Sequence, residues 1–296
     1  MEVINPGWTQ KDIDEQIEKF RLKKYVVFDY LTMFQKIFKA QYNIEKELTI
    51  NNIYPSISYE DINSRIKKGL PVLEANNIHF DEKLLTSLLK DISNILSDYP
   101  FSEDFFVNNL TESLIFHSLI LYEMILNMLY NNQKYFKDLS ERLGVKSSMI
   151  LFFGKALSAP FLRCCAKTLI KHINLESMKI NRCPVCGGIP MMARLLKGDG
   201  KRLLECSLCN SQWVFARLMC PFCLNEDQNT LSFIFIEEDS EHRLDTCDQC
   251  KMSIKTLDER KQEEKGLDTL IVEDIATIYL EILAVKKAYL SLKDPL

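Results

Sequence analysis

The sequence lacks a glycine-rich phosphate loop, a nucleophile elbow, and any carboxylate or Cys/His pair at a catalytic spacing, so no enzyme is expected. It also lacks excess positive charge. A formal net charge of −4 gives no overall pull toward nucleic acid or an anionic membrane. The opening Met1-Glu2-Val3-Ile4-Asn5-Pro6-Gly7-Trp8 has no basic segment followed by an apolar one, so no secretory signal is expected. Long uninterrupted apolar runs are missing too. The run over 113–130 is broken by His117, Glu123 and Asn127, and that over 148–170 by Lys155, Pro160, Arg163 and Lys167, which excludes membrane spans on composition. Glycine and proline are few, nine of each, in an otherwise ordinary composition with 47% apolar residues.

Cysteine, by contrast, is plentiful and patterned. Eight of the ten form C-x2-C pairs, Cys183/Cys186, Cys206/Cys209, Cys220/Cys223 and Cys247/Cys250, separated by nineteen, ten and twenty-three residues. A C-x2-C turn aims two sulfurs at one ion, and two such turns complete a tetrahedron of soft ligands. The order predicts two consecutive metal sites, each with four thiolates. A cytoplasmic location is expected, because reducing compartments favour metal ligation over disulfides. Closed tetrahedra have no open position for substrate or water, so the sites are structural or electron-transferring. Iron and zinc both suit four thiolates. Removal of the metal is expected to unfold 181–255 and to leave the helices intact.

The rest of the chain divides by composition. Residues 1–180 read as an all-α domain. Thr9 caps a helix carrying Ile13, Ile17 and Phe20, and a second helix runs from Val26 to Glu47. Asp81 caps a helix with a broad leucine face, a nearly all-apolar helix covers 104–131, and a shorter one ends at Gly144. Ser147 or Ser148 caps the last long helix, kinked near Pro160. Beyond Ile180, β-prone runs at Met191–Leu196, Arg202–Cys206, Gln212–Leu218 and Thr230–Ile236 replace helices. The fold class is therefore α plus small β: a helical domain over 1–180, metal modules over 181–219 and 220–258, and a C-terminal helix over 266–296 that packs back on the body.

Charge splits the two modules. From Asn181 to Cys220 there are six basic and two acidic residues; from Pro221 to Met252 there are eight acidic and two basic. This asymmetry fits ribbons packed on each other or presented to one polar partner. A residue after a knuckle adopts the left-handed conformation freely only as Gly, so Gly187 and Asn210 suit it, while Leu224 and Lys251 imply a different turn geometry. Cys164 and Cys165 read as buried apolar cysteines. His79, His117 and His172 read as packing or surface residues, and His242, five before Cys247, has four cysteines competing with it as a ligand.

The ordered string Cys183-Pro-Val-Cys186-Gly187-Gly188-x-Pro190, Cys206-Ser-Leu-Cys209, Trp213, Arg217, Cys220-Pro-Phe-Cys223 and Asp245-Thr246-Cys247-Asp248-Gln249-Cys250 resembles the FdhE family of formate dehydrogenase accessory proteins. Val272-Glu273-Asp274-Ile275-Ala276-Thr277 resembles the family's C-terminal helix; in the N-terminal half only Gly69–Leu73 and Ala40-Gln41 look similar. The resemblance implies rubredoxin-like sites holding iron, with zinc as the alternative, and all eight paired cysteines as ligands. It implies the formate dehydrogenase catalytic subunit as partner, with no nucleic acid or membrane span, and a homodimer is compatible with it. Trp213, Arg217 and Thr246 are the candidate partner-binding residues. A rubredoxin-type electron carrier and a zinc-ribbon nucleic-acid binder are the competing readings. About 180 helical residues exceed what the first needs, and the acidic second module opposes the second.

Overall fold

In the computed structural model, residues 3–50, 55–99, 118–130, 132–173 and 180–290 are described. Within them a seven-stranded sheet lies between two layers of helices. The first layer follows from local sequence. Helix α1 (Gln10–Phe20) opens with a capping box, in which Thr9 accepts from the Asp12 amide and Asp12 accepts from the Thr9 amide at 2.7 Å. Ile13, Ile17 and Phe20 then form its buried stripe. Helix α2 (Phe28–Ile50) is longer than the periodicity suggests, starting two residues later and ending three later. Ser58 caps α3 (Tyr59–Lys67), and Asp81 caps α4 (Glu82–Ser97) by accepting from the Lys83 and Leu84 amides. Of the expected helix over 104–131, α5 (Ser118–Leu129) falls within the described residues; its first half, with His117, lies outside them. Helix α6 (Gln133–Leu143) stops at Gly144, whose φ of 63° is the left-handed C-terminal cap.

Helix α7 (Ser147–Leu169) corrects two expectations. Its N-cap is Lys146, with no side-chain cap bond, and it runs on through Pro160 as one continuous helix. It is long and apolar enough to cross a membrane, yet 72% of its apolar window is buried inside the protein. Gly154 explains part of that packing. A Cβ there would lie 2.9 Å from Met128 Cγ, so α5 and α7 touch closely only because the side chain is missing.

Two strands beyond those expected, and a third from the N-terminus, complete the sheet: β1 (Val3–Ile4), β2 (Pro190–Leu195), β3 (Arg202–Cys206), β4 (Gln212–Phe215), β5 (Leu231–Ile236), β6 (Asp239–Cys247) and β7 (Ser253–Asp258). Their order is β1-β4-β3-β2-β7-β6-β5. Each run of knuckle, hairpin, knuckle and strand occurs twice, and the two runs join through β2 and β7, which pair in parallel from Met192↔Lys255 to Leu195↔Asp258. One sheet thus crosses residue 219 without a break. Every residue of β3 and of β7 is buried, because alternate side chains enter opposite helical layers. Ala193, Leu204, Trp213 and Ile254 join the core of α2, α4, α5 and α7. Met192, Leu244 and Leu257 face the C-terminal segments around Leu270, Leu280 and Ala284.

The C-terminal element is two helices, α8 (Ile271–Ala276) and α9 (Ile278–Lys286), divided at Thr277. Leu280 and Ala284 of α9 cluster with Leu244 of β6. Leu290 then bonds to strand β7, accepting from the Ser253 amide at 3.0 Å.

Candidate metal centres

The eight paired cysteines gather into two clusters, Cys183/Cys186/Cys206/Cys209 and Cys220/Cys223/Cys247/Cys250, with all four sulfurs of each within 4.8 Å of one another. In both, one knuckle precedes the sheet and the other turns a hairpin, β3 into β4 or β6 into β7. The knuckles share one backbone design. The amide four residues after the first cysteine donates to that cysteine's carbonyl: Gly187 to Cys183 (2.9 Å), Asn210 to Cys206 (3.2 Å), Leu224 to Cys220 (3.0 Å) and Lys251 to Cys247 (2.9 Å). The first cysteine's own amide donates to the carbonyl one residue further on, as Cys220 does to Asn225 at 2.9 Å.

That closure fixes the conformation whatever the side chain. The φ values are 76° at Gly187, 55° at Asn210, 60° at Leu224 and 59° at Lys251. The expectation of a different geometry at Leu224 and Lys251 is therefore corrected: both occupy the left-handed region, at a cost of roughly 1–2 kcal/mol each. Leu224→Gly is expected to stabilise the second cluster by about 0.5–1 kcal/mol, the strain relieved less the glycine's extra chain entropy. A chemical denaturation series on the full chain reads this directly, and a destabilised variant would show that the turn carries no strain.

The donor set fits a tetrahedral ion. A metal–sulfur bond of ~2.3 Å places tetrahedral sulfurs about 3.8 Å apart. The sulfurs of Cys220 and Cys250, and of Cys223 and Cys247, lie 3.7 Å apart; in the first cluster the separations are 3.4–3.5 Å. Amides point at the sulfurs, Leu208 N to Cys206 Sγ and Phe222 N to Cys220 Sγ, each at 3.4 Å, and Asn225 Nδ2 reaches Cys247 Sγ at 3.6 Å. Burial pushes the Cys183 thiol well above its usual range. Against the same burial, hydrogen bonds from Cys183, Cys186 and Cys206 hold Cys209 well below it. Four sulfurs converging on one point suit a central cation, and each cluster can hold a metal ion.

The two centres differ in their surroundings. All four cysteines of the first are buried, whereas Cys223 and Cys250 of the second are half-buried. The helical layer grips the first centre from three sides. Val72 and Leu73 donate amides to Pro184 and Val185 at 2.9 and 2.8 Å, and Pro71 fills the space over Gly187. Arg163 on α7 bonds Glu45 and Gln41 on α2 and reaches Asn210 Oδ1 at 3.4 Å. Asn5 donates to the Cys209 carbonyl at 2.9 Å. The N-terminal stretches that resemble the family are among those that hold this centre, Gly69–Leu73 directly and Gln41 through Arg163.

Among the candidate partner residues, Trp213 is 1% exposed and its indole donates to the Ile180 carbonyl at 2.9 Å. Thr246 is also buried and bonds Ser232 O at 3.3 Å. Neither offers a surface; both pack within the sheet. Arg217 is exposed. Cys164 and Cys165 stay outside both clusters, with burial pushing their thiols up to about 11 and about 12.

The charge split gives one cross-module ion pair, Arg202 of the first run to Asp245 of the second at 3.2 Å; Arg194 reaches Glu259, just beyond the second module, at 2.8 Å. One polar cluster escaped the sequence reading. His242 is fully buried, with Nδ1 2.7 Å from Asp239 and Nε2 2.7 Å from Glu273. It is a clamp between β6 and α8 and no metal ligand. The signal was present in Glu273, part of the acidic string at the start of that helix.

Comparison with known proteins agrees with this architecture. Residues 182–217 match the family model described as FdhE, central domain. A "Protein FdhE homolog" from Aquifex aeolicus is 26% identical, aligned over 82% of this chain and 80% of its own. A second, from Haemophilus influenzae, is 29% identical over 49% of this chain and 47% of its own, so the chain spans about half the length of that relative. The crystal structure of the FdhE protein from Pseudomonas aeruginosa superposes over the whole chain and 98% of that protein, with a TM-score of 0.62 and 17% identity. This chain is similar to FdhE proteins in sequence and in fold. At that identity the structural likeness concerns the fold alone, the helical layers included.

Proposed function

We propose that this chain is an accessory factor for formate dehydrogenase, which binds the enzyme's catalytic subunit during its assembly or activation. The observation that carries this reading is the coupling of eight cysteines to a docking-sized body. Two four-cysteine clusters sit in one sheet, and a tetrahedral ion held by all four thiolates would have no open position for substrate. Eight thiolates on eight paired cysteines, with iron at each centre, are the ligand set we assign. Iron bound there would supply a one-electron couple; the chain's own part is to exclude water from the first centre and to expose the second, through Cys223 and Cys250. A redox-sensing role belongs to that exposed centre. The family relationship favours this reading over an electron carrier, since the helical layer is spent on gripping the buried centre. The acid-rich second module speaks against nucleic acid, and a reducing, cytoplasmic setting suits the free thiols.

A pull-down of purified formate dehydrogenase catalytic subunit with the full chain tests the proposal. Stoichiometric capture, together with loss of dehydrogenase activity in a deletion strain, is the expected outcome. Absence of capture with normal activity in the deletion strain would end it.

A further inference from the structure

The sheet ends at β5, and that end is unusually apolar for an exposed strand. Phe233 and Phe235 are 56% and 55% exposed, with their rings stacked at 6.3 Å. Among the described residues no strand pairs with the outer edge of β5, and an edge carrying large apolar side chains is a liability unless something pairs with it. Cations surround this one. Arg243 lies over the Phe233 ring at 4.8 Å and Lys261 over Phe235 at 5.8 Å. Beside them a cavity of about 100 Å³ opens between the two modules, lined by Arg202, Arg217, Arg243, Asp245, Leu218 and Cys220, among others. Arg202 and Arg243 share the single carboxylate of Asp245, at 3.2 and 2.8 Å. Arg217 makes no hydrogen bond or ion pair among the described residues. Arg217 is therefore a cation of this patch with no carboxylate of its own, and the cavity has room for one, since a water occupies ~30 Å³.

We propose that the edge of β5 and this cavity form a docking site for an extended, acidic segment of a partner protein, which adds as a further strand beside β5 and seats a carboxylate against Arg217 and Arg243. Strand addition of this kind takes affinity from main-chain hydrogen bonds and specificity from alternate side chains. Exposed Phe and Arg together are the composition of an interface centre. Charge selects the occupant. A second copy pairing through the same edge would present Leu231–Ile236 itself, which carries no carboxylate for the cations to take. A foreign strand with carboxylates at its middle meets the cations instead. The identity of the partner as the dehydrogenase subunit rests on the proposed accessory function; the strand site does not.

The test uses the full, metal-loaded chain and a fluorescein-labelled peptide alternating valine with glutamate. A peptide alternating valine with lysine and a single-stranded oligothymidylate serve as comparisons. The acidic peptide is expected to bind saturably and to shift the amide resonances of 232–236. Arg217→Glu and a Phe233→Ser/Phe235→Ser double variant, both at exposed positions, are each expected to weaken it about tenfold or more while keeping the metal content. Absence of saturable binding, equal binding by the lysine peptide, or affinity unchanged by the substitutions would overturn the site. Preferential binding of oligothymidylate would overturn it in favour of a nucleic-acid surface. Capture of the dehydrogenase subunit that survives both variants would leave the accessory function standing and remove this inference. Peptide binding without subunit capture would do the reverse.

Discussion

Cys183→Ser is expected to abolish the folded protein, whereas Cys250→Ser is expected to release one metal ion and leave the body folded. The difference follows from where the two clusters sit. Cys183, Cys186, Cys206 and Cys209 belong to the same apolar core as Leu88, Phe153, Leu157 and Trp213. Loss of the first ion would leave three thiols in that core, with nothing to offset their desolvation. A structural four-thiolate site contributes ~10–16 kcal/mol, comparable to the entire stability of a domain, ~5–15 kcal/mol. The helical layer cannot stand aside, because Val72, Leu73, Asn5 and Arg163 all bond to backbone or side chains of these knuckles. The second cluster is half-open and outside that core. Circular dichroism and metal content of the two variants decide the matter. A Cys183→Ser protein that melts like the unsubstituted chain would refute the shared core.

The second large effect concerns His242. Its imidazole is held between the Asp239 and Glu273 carboxylates, and burial, which opposes the charge, is outweighed by those two hydrogen bonds, so its pKa rises from 6.5 to about 9. Asp239 is held far below the usual carboxylate range, although burial opposes this, by the same imidazolium, by Tyr279 and by Lys23. Gln16 donates to the other Glu273 oxygen at 2.6 Å, and Tyr25, Tyr279 and Glu241 also face the cluster. The folded pKa is above the unfolded one. The stabilisation is therefore fully present below pH 6.5 and fades as pH rises through about 9. It amounts to roughly 3 kcal/mol. His242→Ala leaves two buried carboxylates unpaired and is expected to cost about 3–5 kcal/mol, and to remove the loss of stability between neutral pH and pH 9. Denaturation midpoints of both proteins across that range test it; parallel pH profiles would show that the imidazole is neutral in the native state.

Much of this was legible in the residues. Thr9, Asp81 and Gly144 mark helix ends by chemistry that acts within a few residues, and the structure places the caps there. The C-x2-C pairs declare two clusters for the same reason. What escaped depends on distant partners. Strands β6 and β7 alternate charged and apolar residues, such as Asp245 and Lys255, whose polarity looks like surface until Arg202, Asp274 and Glu281 neutralise it. The parallel pairing of β2 with β7 links residues some sixty apart and has no local signature. Leu224 and Lys251 misled for the opposite reason. Local propensity argued against a left-handed turn, and the closed hydrogen-bond pair of the knuckle overrode it. Trp213, four residues from Arg217 between two knuckles, reads as partner-facing, but it pairs with β1 and bonds Ile180.

The most direct test of the account is metal content with an optical spectrum, measured on the full chain purified anaerobically. Two clusters predict two metal ions per chain, and iron in them predicts a reddish protein with thiolate-to-metal charge-transfer absorption. Two zinc ions in a colourless protein would keep the architecture and remove the redox role. A folded chain with less than one metal ion and eight free paired thiols would contradict the account itself.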